Sequence, residues 1–139
     1  MSNRSIIIIA ALLILLIPFP TLIVPNWRVQ VVDFNGNVCP NRNVRETWSH
    51  YSIYINDGNF QWEDRQTNSE GYVEFPERKV WAPLIWRAIG SVIANILILA
   101  HGSAGPHATI NTTGLKDKAW IDYRSDGLVD KMVVEKCVY

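Results

Sequence analysis

The chain has 139 residues, with 13 basic and 13 acidic side chains and no formal net charge. That length supports one domain with a core of its own. The charge balance excludes the basic footprint of a nucleic-acid binder, and nothing in the composition points to global disorder or to a repeat architecture.

The first feature in chain order is an uncharged run, IIIIAALLILLIPFPTLIV, from Ile6 to Val24, preceded by Arg4 and the α-amino group. This layout predicts a signal or signal anchor. No A-x-A cleavage pattern and no lipobox cysteine follow, and the run approaches the roughly 20 residues of a membrane span. The expectation is therefore an uncleaved single-pass transmembrane anchor over residues 1–26, although Pro18 and Pro20 would bend or end its helix. The short positive head favours an inside tail and an extracytoplasmic body, a bias diluted by Arg28, Arg42 and Arg45 on the other flank. Trp27 suits either an interfacial anchor or the first residue of a strand.

From residue 27 to residue 139 the pattern is that of strands. WRVQVVDF from Trp27, followed by NGN, reads as a strand and tight turn. NVRETWSHYSIYI (Asn43 to Ile55), the hairpin signal NDGN (Asn56 to Asn59) and FQWEDRQT follow. NSEG then turns into YVEF, which Pro76 ends. Beyond residue 105 come HATINTT, AWIDYRS with a DG turn at Asp126-Gly127, and DKMVVEKCVY. Seven short strands at this spacing predict a mainly β, Ig-like, antiparallel two-sheet sandwich.

One segment interrupts the strands. WAPLIWRAIGSVIANILILA, from Trp81 to Ala100, predicts an inserted apolar helix, with Pro83 in its first turn and Gly102 and Gly105-Pro106 at its stop. Arg87, Ser91 and Asn95 form one narrow polar stripe, opposite Ile85, Ile89, Val92, Ile93, Ile96 and Ala100. So narrow a stripe implies contact on more than one side: the sandwich beneath, and lipid headgroups, a protein partner or another copy of the chain outside. A second membrane crossing would split the sandwich and bury Arg87 at about 2.5–3.5 kcal/mol, so a packed or interfacial helix is expected. Its interaction face is read as Trp81, Trp86, Arg87, Ile89 and Ile93.

Cys39 and Cys137 form either a disulfide, worth about 2–4 kcal/mol, or two separate thiols; spacing alone leaves both open. His50, His101 and His107 have no metal-ligand spacing, and NDGN with Glu63 and Asp64 lacks a calcium-loop pattern, so no metal or cofactor is expected. HGSAG at His101 to Gly105 lacks the first glycine of a nucleophile elbow, which leaves Ser103 a loop residue. Asn111-Thr112-Thr113 is a glycosylation sequon. Trp48, Tyr54, Phe60 and Trp62 would suit a stacking surface for sugars, although filling a core is the commoner use of such residues.

VQVVDFNGNVCPNRNV followed by RQTNSEGYVEFP resembles the carboxypeptidase regulatory-like domains, which share the transthyretin-like sandwich. The resemblance covers residues 28 to 76 and rests on Asp33, Gly36, Pro40, Val44, Thr67, Gly71, Tyr72 and Phe75. The chain departs from the family at Arg42-Asn43, where a Gly-Ala pair is common, and in the helix after the Phe strand. The resemblance implies a binding or folding module. A transthyretin-fold hydrolase of purine catabolism uses a first-strand His and a C-terminal Tyr-Arg-Gly-Ser. Gln30 and the internal Tyr123-Arg124-Ser125 do not match it, so a hydrolase is disfavoured. The functional expectation is a membrane-tethered binding or structural module whose inserted helix meets the membrane surface or a partner. A glycan- or envelope-binding module using the strand aromatics is the alternative.

Overall fold

The computed structural model describes residues 2–50, 53, 60–101, 105–113 and 119–137, the side chains of 11 and 97–101 excepted. The architecture is mainly β, with nine strands in three sheets among the described residues. One sheet has β2 (Trp27–Asp33) between β5 (Tyr72–Phe75) and β9 (Lys131–Val134). A second runs β4 (Gln61–Gln66), β3 (Asn43–His50), β7 (Pro106–Thr112) and β8 (Trp120–Asp122). The third is a two-stranded ribbon of β1 (Pro18–Val24) and β6 (Arg78–Pro83). Helix α1 (Asn3–Leu15) precedes the ribbon, α2 (Leu84–His101) follows β6, and the single turn α3 (Tyr123–Asp126) follows β8.

Strand alternation builds the main core. Val29 and Val31 of β2, Val73 and Phe75 of β5 and Met132 and Val134 of β9 pack on Val44, Ala108, Ile110 and Ile121 of the four-stranded sheet. Trp27 fills one end of this layer, and its Nε1 donates to the Val129 carbonyl at 2.9 Å. A smaller cluster of Ile23, Ile53, Val80 and Ala82 lies under the ribbon. Trp48 packs against both clusters and so joins them.

Three features correct the sequence expectation. First, the N-terminal apolar run is not one transmembrane helix. Proline at 18 has no N–H to donate and disfavours helical backbone at Ile17, so α1 stops after 13 residues. At about 1.5 Å per residue such a helix is roughly 20 Å long, against a hydrocarbon core of roughly 30 Å. Among the described residues no helix is long and apolar enough to cross a membrane, and the single-pass anchor is not supported.

Second, residues 18–24 and 78–83 are strands that pair with each other, which raises the count from seven to nine and adds the third sheet. Pro18 and Pro20 lie two apart, so both missing donors fall on one strand edge, where a proline is tolerated. Val80 and Ala82 alternate with exposed Lys79 and Trp81, so Trp81 belongs to β6 and the helix begins only at Leu84. Third, β9 runs parallel to β2, with Gln30 opposite Lys131 and Asp33 opposite Val134, so the assembly is not wholly antiparallel. The hairpin expected at Asn56–Asn59 lies outside the described residues.

The β2–β3 connection is held by local chemistry. Asp33 Oδ1 accepts from the Asn35 and Asn37 amides, both at 2.9 Å, and Gly36 takes φ +83° between them. Thr67 Oγ1 donates to the Cys39 carbonyl at 2.6 Å and accepts from the Arg42 amide at 2.8 Å. Cys39 is bonded to Cys137, with Cα atoms 5.2 Å apart, so the segment after β9 is stapled to this connection. Gly71 packs against the same place at φ +76°, where an added Cβ would sit 2.9 Å from the Val31 carbonyl oxygen and 3.2 Å from Val38 Cβ.

Gly36 and Gly71 therefore share a backbone conformation but not a neighbourhood, since a Cβ at Gly36 meets nothing within 4 Å. Gly36→Ala should cost about 1 kcal/mol, the ordinary penalty of left-handed backbone. Gly71→Ala should cost at least about 1 kcal/mol more, because backbone must also shift. Urea denaturation of both variants measures the difference; equal costs would contradict the close approach.

Candidate functional site

The ribbon decides where the apolar surface goes. Its antiparallel register places Pro18 opposite Pro83, Phe19 opposite Ala82 and Pro20 opposite Trp81. Chain enters β1 at Pro18 directly after α1, and leaves β6 at Pro83 directly into α2. Both apolar helices therefore emerge from the same end of one ribbon. The other end, at Val24 and Arg78, is seated in the body.

Helix α1 buries none of its described residues, and Ile6, Ile7, Ile8 and Ile9 are all exposed. Successive residues step about 100° around a helix, so these four occupy every side of it. Helix α2 buries two small residues, Gly90 and Ala94, and half-buries Ile93. The opposite side carries Ile85, Ile89, Val92 (61% exposed) and Ile96, spaced four, three and four apart. A shallow, wholly apolar depression of about 300 Å³ lies there, lined by Ala88, Ile89, Val92 and Ile93.

The residues read from the sequence as an interaction face divide into three roles. Trp81 is 64% exposed at the ribbon end, although it lies on a strand. Ile89 belongs to the exposed stripe, and half-buried Ile93 borders it. Trp86 and Arg87 fasten the helix root. Trp86 Nε1 donates to the Ile53 carbonyl at 2.8 Å, while half the ring stays exposed. Arg87 donates to the Ala82 carbonyl at 3.0 Å, the Phe19 carbonyl and Thr21 Oγ1, with its guanidinium 3.9 Å over the Phe19 ring. Only Ser91 and Asn95 of the polar stripe remain outward, and Asn95 Nδ2 donates back to the Ser91 carbonyl.

The aromatic set is not one surface. Trp48 points inward, whereas Phe60 and Trp62 are exposed on or beside β4. Tyr54 and Ser103 lie outside the described residues. Glu63 and Asp64 are engaged by Arg65 and Arg45, each at 2.7 Å. Among the described residues no group of three or more His, Cys, Asp or Glu could hold a metal ion. A larger open cleft of about 450 Å³ lies elsewhere, between Asn26, Arg28, Arg65 and Glu74. Its charges are already matched, Arg28 to Glu74 at 3.4 Å and Arg65 to Glu63 and to the Glu74 carbonyl.

No family model, curated protein or solved structure matches this chain.

What the sequence reading missed is the root of the ribbon. Arg78, the first residue of β6, donates through Nε to Glu46 Oε2 at 2.7 Å and through Nη2 to Glu63 Oε2. Its guanidinium lies 3.9 Å over Trp48. Glu46 is fully buried on β3, and its Oε1 has no hydrogen-bond partner among the described residues. Burial lifts the Glu46 carboxyl above the ordinary value of 4.5, an effect that Arg78 offsets only in part. Hydrogen bonds from Arg78 and Arg65 hold Glu63 below it.

The two carboxylates thus act on stability with opposite signs. Folded Glu46 binds its proton more tightly than the unfolded chain does, so its ionisation costs stability as pH rises above 4.5. The stabilisation from Glu63 is complete above 4.5 and fades as pH falls through its lowered value. Melting temperatures across a pH series should show Glu46→Gln gaining on wild type above 4.5. Glu63→Gln should gain on wild type only as the pH falls below it. A Glu46→Gln difference that stays flat above that value would contradict this account of the root.

Proposed function

We propose that the chain is a binding and structural module that seats a mainly β body on a lipid surface through the ribbon end. The observation that carries this reading is the pairing of Pro18 with Pro83, which delivers α1 and α2 to one place. Exposed apolar surface of this extent marks an interaction site rather than ordinary surface.

Lipid fits this surface better than a protein groove does. A groove covers one stripe of a helix, whereas α1 is apolar on every side, the pattern of a helix surrounded by a uniformly apolar medium. The base of the two helices carries Phe19, Trp81 and Trp86, with Arg87 beside them. Aromatic rings and an Arg at one level are what a headgroup layer accommodates. The length of α1, shorter than the hydrocarbon core, and Arg4 in its first turn support a tilted insertion into one leaflet instead of a passage through the bilayer.

The module half of the reading draws on the resemblance to carboxypeptidase regulatory-like domains. Asp33, Gly36, Thr67 and Gly71, which carry that resemblance, sit at the turn and clasp of the β2–β3 connection. That is the place where a sandwich module needs fixed backbone.

Flotation of the purified full chain with phosphatidylcholine vesicles tests the seat. Wild type should float with the vesicles. Ile89→Asp combined with Val92→Asp, both exposed positions, should lower the bound fraction at least about fivefold through lost apolar burial. A chain that stays with the aqueous fraction and forms a discrete oligomer by light scattering would show that the helices cover each other, and would overturn the lipid reading.

A further inference from the structure

The outward face of the four-stranded sheet is a different kind of surface. Strand alternation sends Val44, Glu46, Ala108, Ile110 and Ile121 into the body, so the residues between them face away from it. The register aligns these in two rows across the sheet: Asp64, Arg45, Asn111 and Trp120 in one, Trp62, Thr47, Thr109 and Asp122 in the other. Each row carries a tryptophan on an edge strand, at opposite edges. Trp62 of β4 is 59% exposed and Trp120 of β8 is 58% exposed. At the next level Phe60 meets His107 edge to face, with centroids 6.5 Å apart.

Arg45 and Asp64, between the two indoles, are paired within the face. Arg45 donates to both carboxylate oxygens of Asp64, at 2.7 and 2.8 Å. Its guanidinium also lies 4.4 Å over the Trp62 ring, while most of that residue stays exposed. Asp122 accepts from the Arg124 amide at 2.8 Å and faces His107 Nδ1 at 3.9 Å. The face therefore presents two aromatic platforms flanking a floor of hydroxyl, amide and carboxylate groups, in which Arg45 and Asp64 neutralise each other.

We propose that this face binds an uncharged oligosaccharide, stacked on Trp62 and Trp120 and hydrogen-bonded by Thr47, Asn111 and Asp122. A sugar ring offers an apolar C–H side to an indole and a rim of hydroxyls to a polar floor, and it needs no field of either sign. A nucleic acid would require a net positive face, which the Arg45–Asp64 pair denies it. A lipid surface or an apolar helix would bury the floor's polar groups unpaired, which is unfavourable. Three strand spacings separate the two edges, about 14 Å at the usual 4.7–4.9 Å per strand. That span suits a chain of sugars, not a single ring. The assignment does not rest on the lipid seat, which lies on other elements.

Isothermal titration of the full chain, in a micelle without sugar headgroups, tests it with cellohexaose, chitohexaose, mannohexaose and maltohexaose. At least one should bind. Trp62→Ala and Trp120→Ala should each weaken that binding about tenfold, the loss expected for one stacking platform. Trp120→Phe, which keeps a platform and leaves the strand intact, should retain affinity within about threefold. Phe34→Ala, an exposed aromatic of the β2–β3 connection, should leave that binding unchanged. Absence of binding to all four sugars, or binding that survives both alanine substitutions, would overturn the proposal.

Discussion

Arg78 is the point on which the arrangement of the molecule turns. It opens β6, and its guanidinium is shared between a fully buried carboxylate, Glu46, and the half-exposed Glu63. It also lies over Trp48, which among the described residues is the ring that packs against both core clusters. A carboxylate buried at the centre of β3 is unstable by itself, and removing its partner would leave that charge uncompensated, a loss on the order of 3–5 kcal/mol. The ribbon cannot detach from the body without exposing this pair to separation. A charged contact thus ties the apolar end of the molecule to its β core.

From that root the rest follows by geometry. Because Arg78 fixes one end of β6 opposite Val24, the register carries Pro18 and Pro83 to the other end. Pro18 ends one apolar helix and Pro83 precedes another, so both helices start from the same platform. Arg87 then closes the corner by binding Phe19 and Thr21 of the opposite strand. The disulfide at Cys39 acts on the far side, where it holds the segment after the parallel strand β9 against the β2–β3 connection. The ribbon end is consequently presented by a body stapled and packed away from it.

Much of the β body was legible in the sequence because its signals are local. Asp33, Gly36 and Gly71 announce turns through backbone demands that no other residue would meet as easily, and YVEF alternates cleanly. The ribbon was not legible for two reasons. PFPTLIV is an apolar run without a period, which reads equally as helix or strand, and it continues a true helix without a polar break. Its partner, Arg78–Pro83, lies about sixty residues away, and Trp81 stands next to a stronger helical pattern. The parallel β2–β9 pair likewise depends on long-range placement that spacing does not encode. Arg78, Glu46 and Glu63 resemble ordinary solvated charges until the fold buries one of them. On the sheet face, Trp62 was visible as an aromatic among aromatics, whereas Trp120 stood alone in a three-residue strand. Only the register shows that the two flank one surface.

The central claim is that two apolar helices leave one ribbon end toward one lipid surface, with the sheets held clear of it. Site-directed spin labelling of the full chain in phosphatidylcholine vesicles measures this directly, through collision with oxygen in the lipid and with a nickel chelate in the water. Labels at Leu13→Cys in α1 and Val92→Cys in α2 should both be reached by oxygen and shielded from nickel. A label at Gln66→Cys in β4 should behave in the opposite way. Either helix label lying in water, or the Gln66 label lying in lipid, would contradict the account.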